Sequence, residues 1–272
     1  MSPKASVIIS VYNNLPFLEL VLAGFEQQTE KDFEIIVSDD GSGQAFQDGL
    51  TKLMESSNMR ISHNWHPDIG FLKNKILNSS VVKAQADYLI FVDGDCIPHH
   101  AFVAEHLREA EKGKCLVGRR VELSKRITGM LTVKRIAAGF LEQLSGKILM
   151  LQDFLTGKLH FWKYGIYVKH PLLRRFLNRK KKTILGANFS LFKQDLLSIN
   201  GFDERYTQPT FGEDTDIDFR LRLAGISMKS VLSIAVTYHC FHKLLPRPVE
   251  SEQQFEIAKQ ENKAFTAFGI KR

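Results

Sequence analysis

The stretch Asp87-Tyr-Leu-Ile-Phe-Val-Asp-Gly-Asp95 decides how the rest of the chain is interpreted. Its apolar run, Tyr88–Val92, has the length and composition of a buried strand, and turn-forming residues follow it. Two carboxylates, Asp93 and Asp95, come directly after this strand. Open α/β sheets bind ligands at the carboxyl ends of their strands, and paired carboxylates suit a divalent cation that carries phosphate oxygens. Taken alone, the tripeptide Asp93-Gly94-Asp95 is more typical of an ordinary solvated turn.

Strand-like and helix-like segments alternate around this stretch. The hydrophobic periodicity predicts strands near 6–11, 33–38, 59–63, 88–93 and 115–122, with helices near 16–28, 45–56, 71–84 and 99–111 between them. Such alternation is typical of a mostly parallel sheet with helices on both faces, an α/β fold. After a helical segment at 125–180, the pattern predicts a strand at 185–192, helices at 193–198 and from 213 to about 224, a strand at 227–238 and a helix at 250–268.

The chain shows no linker or internal repeat, so we expect a single domain over residues 1–272. Within it, we distinguish residues 1–122, an inserted basic helical segment at 123–182, a further part at 183–245 and a C-terminal helix at 246–272. No apolar run is long enough for a transmembrane helix, and the N-terminus lacks the layout of a signal peptide. Three scattered cysteines fit a reducing compartment, which predicts a cytoplasmic location.

Positive charge is concentrated in one part of the chain. The formal net charge is +7, and the segment from Arg119 to Lys182 holds sixteen Lys or Arg against three acidic residues. These cations could be solvated helix faces, or they could bind an anionic partner. The run Arg174–Lys182 is polybasic and partly apolar, which favours peripheral attachment to an anionic membrane surface. Nucleic acid is a less favoured partner, because no recognised reader motif accompanies the charge.

Acidic pairs recur where predicted strands end or helices begin. They are Asp39 with Asp40, Asp93 with Asp95, and Glu213 with Asp214, and His239 ends a late strand. Cap or turn roles are the simpler interpretation for any single acid, and the better one for Asp216 and Asp218. The chain has neither a Gly-x-Gly-x-x-Gly turn nor a Gly-x-x-x-x-Gly-Lys-Ser/Thr loop, which argues against a dinucleotide cofactor and a P-loop NTPase.

Six short motifs occur in the order and spacing of family 2 glycosyltransferases. The motifs are Ser10–Asn13, Val37–Ser42, Val92–Asp95, Gly186–Ser190, Gly201–Glu204 and Gly212–Asp216. Each motif is weak alone, but the ordered set resembles this family over about residues 6–240. The resemblance implies a GT-A fold and an inverting transfer from a nucleotide-diphosphate sugar. The Gly-Glu-Asp motif near residue 213 is similar to the C-terminal region of galactosyltransferases.

The resemblance also implies roles for individual residues. Tyr12, Asp39 and Lys73 would contact the nucleotide base, Asp93 the ribose, and Asp95 a Mn²⁺ or Mg²⁺ ion. His239 resembles a late metal ligand, and Asp214, with Glu213 beside it, resembles the base that acts on the acceptor. The remaining implied donor-side residues are Val11, Asn13, Asp40 and Gly94, and the implied acceptor-side residues are Gly186, Ala187 and Asn188. Val11 and Lys73 stand where the family commonly has Pro and Arg, which leaves the base preference open.

The implied function is a metal-dependent transfer of a hexosyl or N-acetylhexosaminyl group, with a UDP-sugar as the favoured donor. The acceptor would be a hydroxyl of a glycan or of a lipid-linked saccharide in cell-surface polysaccharide or glycolipid synthesis. In domain terms, residues 1–122 would bind the nucleotide sugar and residues 183–245 the acceptor. The alternatives are a non-catalytic nucleotide-sugar or glycan-binding relative and a nucleotidyltransferase. His99, His100 and His242 are expected to be structural.

Overall fold

A computed structural model describes residues 2–179, 183–209, 212–243 and 249–271. Part of the predicted membrane-binding run, Lys180–Lys182, lies outside these residues. The strands are β1 Ala5–Val11, β2 Phe33–Asp39, β3 Arg60–Trp65, β4 Tyr88–Asp93, β5 Cys96–Pro98, β6 Lys114–Val117, β7 Arg120–Glu122, β8 Phe189–Phe192, β9 Ser227–Ser230 and β10 Thr237–His239. The helices are α1 Leu15–Glu26, α2 Gln44–Ser56, α3 Lys73–Lys83, α4 Phe102–Glu109, α5 Lys125–Met130, α6 Val133–Ala137, α7 Leu144–Leu155, α8 Pro171–Leu177, α9 Lys193–Ser198, α10 Glu213–Leu223 and α11 Val249–Glu261, with a 3₁₀ turn at Trp162–Gly165.

The main sheet has seven strands in the order β3-β2-β1-β4-β8-β6-β9. Neighbouring strands are parallel except for β8, which runs antiparallel to both β4 and β6. The predicted mostly parallel sheet is therefore confirmed. The register places Ser10 opposite Asp93 and Val11 opposite Asp39, so the carboxyl ends of β1, β2 and β4 meet at one edge.

Apolar side chains cover both faces of this sheet. On β1, Val7 and Ile9 belong to the core beneath α1 and α2, whereas Ile8 belongs to the core beneath α3, α9 and α10. Successive side chains of a strand point to opposite faces, so a strand that is buried on both sides is apolar throughout. This explains why β1 and β4 appear in the sequence as continuous apolar runs. Helices on both faces leave the carboxyl-end edge of the sheet as the place for a ligand.

A second, three-stranded sheet in the order β5-β10-β7 was not predicted. Here β10 pairs antiparallel with β5 and parallel with β7. The predicted strand at 115–122 is wrong, because it divides at Gly118 into β6 of the main sheet and β7 of the small one. The predicted strand at 227–238 likewise divides into β9 and β10. The predicted helix at 250–268 ends at Glu261. The two strand predictions failed for the same reason, which is that the chain passes from one sheet to the other within each predicted strand.

The basic helices α5 to α8 lie between β7 and β8 in the chain, and an ion pair anchors the last of them. Arg174 on α8 is buried, and its guanidinium donates to both carboxylate oxygens of Glu105 on α4, at 2.7 and 2.9 Å. The same guanidinium donates to the Val168 carbonyl, and the Tyr167 hydroxyl also donates to Glu105. Bidentate pairing of this kind fixes orientation as well as distance. α8 is thereby held against α4.

We expect Arg174→Met to lower the free energy of unfolding by about 3 kcal/mol, because it leaves the Glu105 carboxylate buried without its bidentate partner. The matched control is Arg175→Met on the same helix, where the side chain is exposed and the change should stay within about 0.5 kcal/mol. Urea unfolding followed by circular dichroism measures both variants. Equal stability of the two variants would show that the ion pair does not anchor the segment.

Candidate active site

The end of β4 is held tightly against the end of β1. The Ser10 hydroxyl donates to Asp93 at 2.9 Å, and the Gly94 amide donates to the Ser10 carbonyl at 2.8 Å. A Cβ on Gly94 would lie 2.6 Å from a methyl carbon of Val11. No side chain fits there without displacing β1. Gly94 therefore allows the backbone to turn next to β1 and places Asp93 and Asp95 at the edge of the sheet.

Lys73 joins the acids of β4 to the acids of α10. Its ammonium lies 3.3 Å from Asp93 and 3.6 Å from Glu213. Burial opposes the charge on Lys73, but the carboxylates of Asp93, Glu213 and Asp214 outweigh it and raise the pKa well above its usual value. Lys73 is therefore a permanent cation in the site. A small cavity lies beside it, lined by Ser10, Gly186, Glu213 and Asp214 among others.

Helix α10 presents Glu213 and Asp214 on its first turn. The preceding Gly212 has a φ of 110°, a conformation that favours glycine, and acids at a helix N-terminus interact favourably with the helix dipole. Burial raises the pKa of Glu213, with the Lys73 ammonium acting in the opposite direction. Asp216 and Asp218, predicted to be structural, form ion pairs with Arg220 and Arg222 one helical turn later.

Asp95, His239 and His242 form a cluster of potential metal ligands. The Nε2 atoms of His239 and His242 lie 3.4 and 3.1 Å from one oxygen of Asp95, and 3.1 Å from each other. Strand pairing creates this arrangement, because β10 pairs His239 with Cys96, the residue after Asp95. One carboxylate oxygen and two imidazole nitrogens are a usual donor set for a first-row divalent metal.

Glu122 contacts the other nitrogen of His239. Its oxygen lies 2.8 Å from Nδ1, although without the alignment of a well-formed hydrogen bond. Burial lowers the pKa of His239, but contacts with the Asp95 and Glu122 carboxylates outweigh burial and raise it to about 9. Burial alone would raise the pKa of the Asp95 carboxyl. Contacts with His239 and His242 outweigh burial and hold that pKa well below its usual range. A carboxylate behind a ligand histidine fixes the orientation of the ring.

Two of the predicted base-binding residues, Tyr12 and Asp39, lie around the loop between β2 and α2 with the predicted donor-side residues Asn13 and Asp40, whereas the third, Lys73, lies between Asp93 and Glu213. Both oxygens of Asp39 are bonded, one to the Ser42 amide at 2.9 Å and one to His63 at 2.8 Å. Asp40 accepts from the Leu72 amide and contacts His66. Asn13 has a positive φ of 50°, and its amide oxygen accepts from the Gly43 amide. Tyr12 is 54% exposed, and its hydroxyl donates to Asp68, so its ring is open to a ligand.

The predicted acceptor-side residues differ in their exposure. Gly186 borders the site, and its amide approaches an oxygen of Asp214 at 3.4 Å. Ala187 is buried. Asn188 is fully buried, where it donates to the carbonyls of Arg119 and Ala235 and contacts His106. Gly186 thus lies beside Asp214. Asn188 lies behind Gly186, where its hydrogen bonds support the loop.

Three further residues of the site were not predicted. Arg120 lies 3.5 Å from Asp93 and 2.8 Å from Glu122, and His242 joins the metal-ligand cluster. His242 was expected to be structural, although its spacing of three residues from His239 is a usable signal. Arg120 and Glu122 were hidden because the predicted strand at 115–122 continued through them. The two residues lie two positions apart on a separate strand, β7, so both side chains face the site.

Comparisons with known proteins agree with this geometry. The sequence model described as "Glycosyl transferase family 2" matches residues 6–193, and the one described as "N-terminal domain of galactosyltransferase" matches residues 175–243. Chondroitin synthase of Escherichia coli is 26% identical over 86% of the chain and 34% of its own length. The GalNAc(5)-diNAcBac-PP-undecaprenol beta-1,3-glucosyltransferase of Campylobacter jejuni is 27% identical over 75% of the chain and 56% of its own length.

A solved structure shares the fold. The mannosyltransferase PcManGT from Pyrobaculum calidifontis, in complex with GDP-Man and Mn²⁺, superposes with a TM-score of 0.57 and 14% identity. The match covers 96% of this chain and 62% of the mannosyltransferase chain. Together with the sheet order, it confirms the expected GT-A fold. The chain spans about a third to three fifths of the length of these three proteins.

Proposed function

The chain belongs to glycosyl transferase family 2, and we propose that it transfers a hexosyl or N-acetylhexosaminyl group with inversion. The donor would be a nucleotide-diphosphate sugar, with UDP the favoured nucleotide, and the acceptor a hydroxyl of a glycan or a lipid-linked saccharide. The observation that carries this proposal is the position of Lys73 between Asp93 and Glu213. It unites the acids of the predicted donor motif with those of the predicted acceptor motif in one site.

The geometry supports separate tasks for the two halves of this site. Val11, Tyr12, Asn13, Asp39, Asp40, Lys73, Asp93, Gly94 and Asp95 would hold the donor, with the open ring of Tyr12 beside the base. Asp214 would take the proton of the acceptor hydroxyl as that oxygen attacks the anomeric carbon and the nucleoside diphosphate leaves. Glu213, buried beside Lys73, would position the first turn of α10. Gly186 to Asn188 would form the acceptor-side loop, and one domain would contain both halves.

The residues present fit a divalent cation. The ligand atoms of Asp95, His239 and His242 all lie within 4.8 Å of one another. The two imidazole nitrogens lie 3.1 Å apart, close enough for one cation to bind both. When bound, Mn²⁺ or Mg²⁺ would neutralise the leaving diphosphate, and the imidazole ligands favour Mn²⁺ over Mg²⁺. Glu122 would orient His239, and Arg120 would add a positive charge beside Asp93.

A donor screen tests the proposal directly. The chain is incubated with Mn²⁺, a panel of nucleotide sugars and candidate acceptors, and the released nucleotide is measured. Release that depends on both a donor and an acceptor supports transfer. Donor binding without release under any condition would favour a non-catalytic nucleotide-sugar-binding relative. In a parallel incubation with nucleoside triphosphates and sugar 1-phosphates, formation of a nucleotide sugar with release of pyrophosphate would favour a nucleotidyltransferase.

We predict that UDP binds in Mn²⁺ and that its affinity falls by at least about tenfold in EDTA or in Asp95→Ala, because a charge-assisted contact of about 1.5–3 kcal/mol is lost. Isothermal titration calorimetry measures the affinities. Asp32→Ala, at the opposite end of β2, is the matched control and should bind as the unmodified chain does. Undiminished binding in EDTA would exclude a metal role at Asp95.

We predict that Asp214→Asn preserves UDP affinity and lowers kcat by about 10²–10⁴-fold, because the variant can no longer accept the acceptor proton. Steady-state turnover with the donor and acceptor found in the screen provides the measurement. Asp48→Asn, an equivalent change on the outward side of α2, should leave turnover unchanged. Near-normal turnover in Asp214→Asn would assign the base to another residue, Glu213 being the nearest candidate.

We also propose peripheral attachment to an anionic membrane through the inserted basic segment. On α7, Leu144, Ile148, Leu151 and Leu155 recur at helical spacing and are all exposed, Leu144 and Leu155 by about three quarters. On α8, Leu172, Leu173, Phe176 and Leu177 are exposed as well. No helix in the described part of the chain is long and apolar enough to cross a bilayer. Attachment would combine shallow apolar insertion with the positive charge of the segment.

We predict co-sedimentation with anionic vesicles that weakens in high salt, because Lys and Arg near an anionic surface contribute about 1 kcal/mol each. Replacing Leu172 and Phe176 by Ser should weaken co-sedimentation with anionic vesicles further and leave the affinity for UDP unchanged. Val82→Ser, which alters an exposed apolar residue on α3, is the control. Equal sedimentation with neutral and anionic vesicles, or none with either, would leave the segment an ordinary solvated face. A parallel loss of UDP affinity would assign it to the donor site.

A further inference from the structure

Arg120 lies on the face of the small sheet that carries the metal-ligand cluster. Strand β7 pairs in parallel with β10, which places Thr237 opposite Arg120 and His239 opposite Glu122. Residues two positions apart on a strand point to the same face, and directly opposite residues share a face. The side chains of Arg120 and Glu122 are therefore both on the side of the sheet from which His239 enters the site.

One end of the Arg120 guanidinium is fixed, and the other end is open. Its Nε donates to Glu122 at 2.8 Å, whereas Nη1 lies 3.5 Å from Asp93, too far for a well-formed hydrogen bond. Among the described residues, neither Nη1 nor Nη2 has a hydrogen-bond acceptor, and neither atom is buried. A guanidinium carries N–H donors on all three nitrogens, so those on Nη1 and Nη2 remain available to a ligand.

An arginine that stabilises the fold uses these donors differently. Arg174 donates from Nη1 and Nη2 to the two oxygens of Glu105, at 2.9 and 2.7 Å. This is the bidentate geometry that arginine forms with a carboxylate when the pair is structural. Arg120 forms no such pair with Asp93 or with Glu122, although both are adjacent. Pairing with these acids therefore does not account for the open end of its guanidinium.

The two acids beside Arg120 also have other cationic partners. Asp93 lies 3.3 Å from the Lys73 ammonium, and Glu122 lies 2.8 Å from Nδ1 of His239. Neutralisation of the acids is thus shared, and it does not require the Nη donors of Arg120. Glu122 instead holds Nε, which orients the guanidinium before any ligand arrives.

The ligand class follows from the shape and the position of this group. A planar guanidinium with two free nitrogens matches two oxygens of a phosphate, and bidentate contact of this kind is a usual mode of phosphate recognition. Arg120 adjoins both Asp93 and the metal-ligand cluster, the region where the diphosphate of the proposed donor would lie. We propose that Nη1 and Nη2 of Arg120 bind the diphosphate of the nucleotide sugar. The identity of this ligand rests on the proposed function.

Arg120 would share the binding of negative charge with the metal. A diphosphate beside the carboxylates of Asp93 and Asp95 would otherwise be repelled by them. The leaving nucleoside diphosphate gains negative charge as the sugar departs, so a donor that is already in position stabilises it most at that stage. Loss of Arg120 should therefore weaken binding of the free diphosphate product.

Isothermal titration with inorganic pyrophosphate and with UDP, both in excess Mn²⁺, tests the proposal. Arg120→Met should weaken the binding of each ligand by at least about tenfold, because a charge-assisted bidentate contact is lost. Arg120→Lys should recover part of the affinity, since it keeps the charge but lacks the planar fork. Arg175→Met, which removes the same charge from an exposed position on α8, is the matched control and should bind both ligands normally.

The affinity for Mn²⁺ alone separates this role from a structural one. Arg120→Met removes a positive charge that acts on Asp95, so Mn²⁺ should bind the variant at least as tightly as the unmodified chain. Titration followed by electron paramagnetic resonance measures this. A fall in Mn²⁺ affinity would make Arg120 a support of the metal-ligand cluster and overturn the inference. Unchanged affinities of Arg120→Met for pyrophosphate and UDP would overturn it as well.

Pyrophosphate also separates this inference from the proposed function, because it contains neither base nor sugar. Binding of pyrophosphate that depends on Arg120, together with a negative donor screen, would support the diphosphate site and contradict the transferase activity. A positive donor screen, with equal UDP affinity in Arg120→Met and the unmodified chain, would support the activity and contradict the role of Arg120.

Discussion

The candidate site depends on the pairing of β10 between β5 and β7. The Cys240 amide donates to the Asp95 carbonyl at 2.9 Å, and the Leu123 amide donates to the His239 carbonyl at 3.0 Å. These bonds bring Asp95, Glu122 and His239 together from three separate parts of the chain. A slip of one residue along β10 would turn His239 into the core and Tyr238 toward the metal ligands. The metal-ligand cluster is thus a consequence of strand register.

The positive charge of Lys73 is a second constraint. The carboxylates of Asp93, Glu213 and Asp214 all act on this ammonium, and like charges brought so close would otherwise repel. A cation at the first residue of α3 therefore permits the acid-rich start of α10 to approach the end of β4. Burial alone would favour the neutral lysine, and the surrounding carboxylates reverse that preference. The predicted donor and acceptor parts of the site are joined by electrostatics rather than by apolar packing.

The sequence predicted the parts of the fold that repeat a long pattern. Strands buried on both faces, such as β1 and β4, are continuous apolar runs, so the parallel half of the sheet and Asp93 at its edge were predictable. The three-residue strands β5, β7 and β10 were not, because so short a segment carries no periodicity of its own. Consequently Asp95 and His239 were predicted from their strand-end positions and assigned a metal-ligand role by resemblance, while Arg120 and Glu122 needed the three-dimensional pairing to be recognised.

The same short strand separates two chemically different spaces. Residues adjacent in β10 face opposite ways, so His239 faces the metal-ligand cluster and Tyr238 packs into the apolar core. Both edges of β10 are hydrogen-bonded to neighbouring strands, which holds it in one register. The pairing of β10 therefore decides which of its side chains joins the metal-ligand cluster.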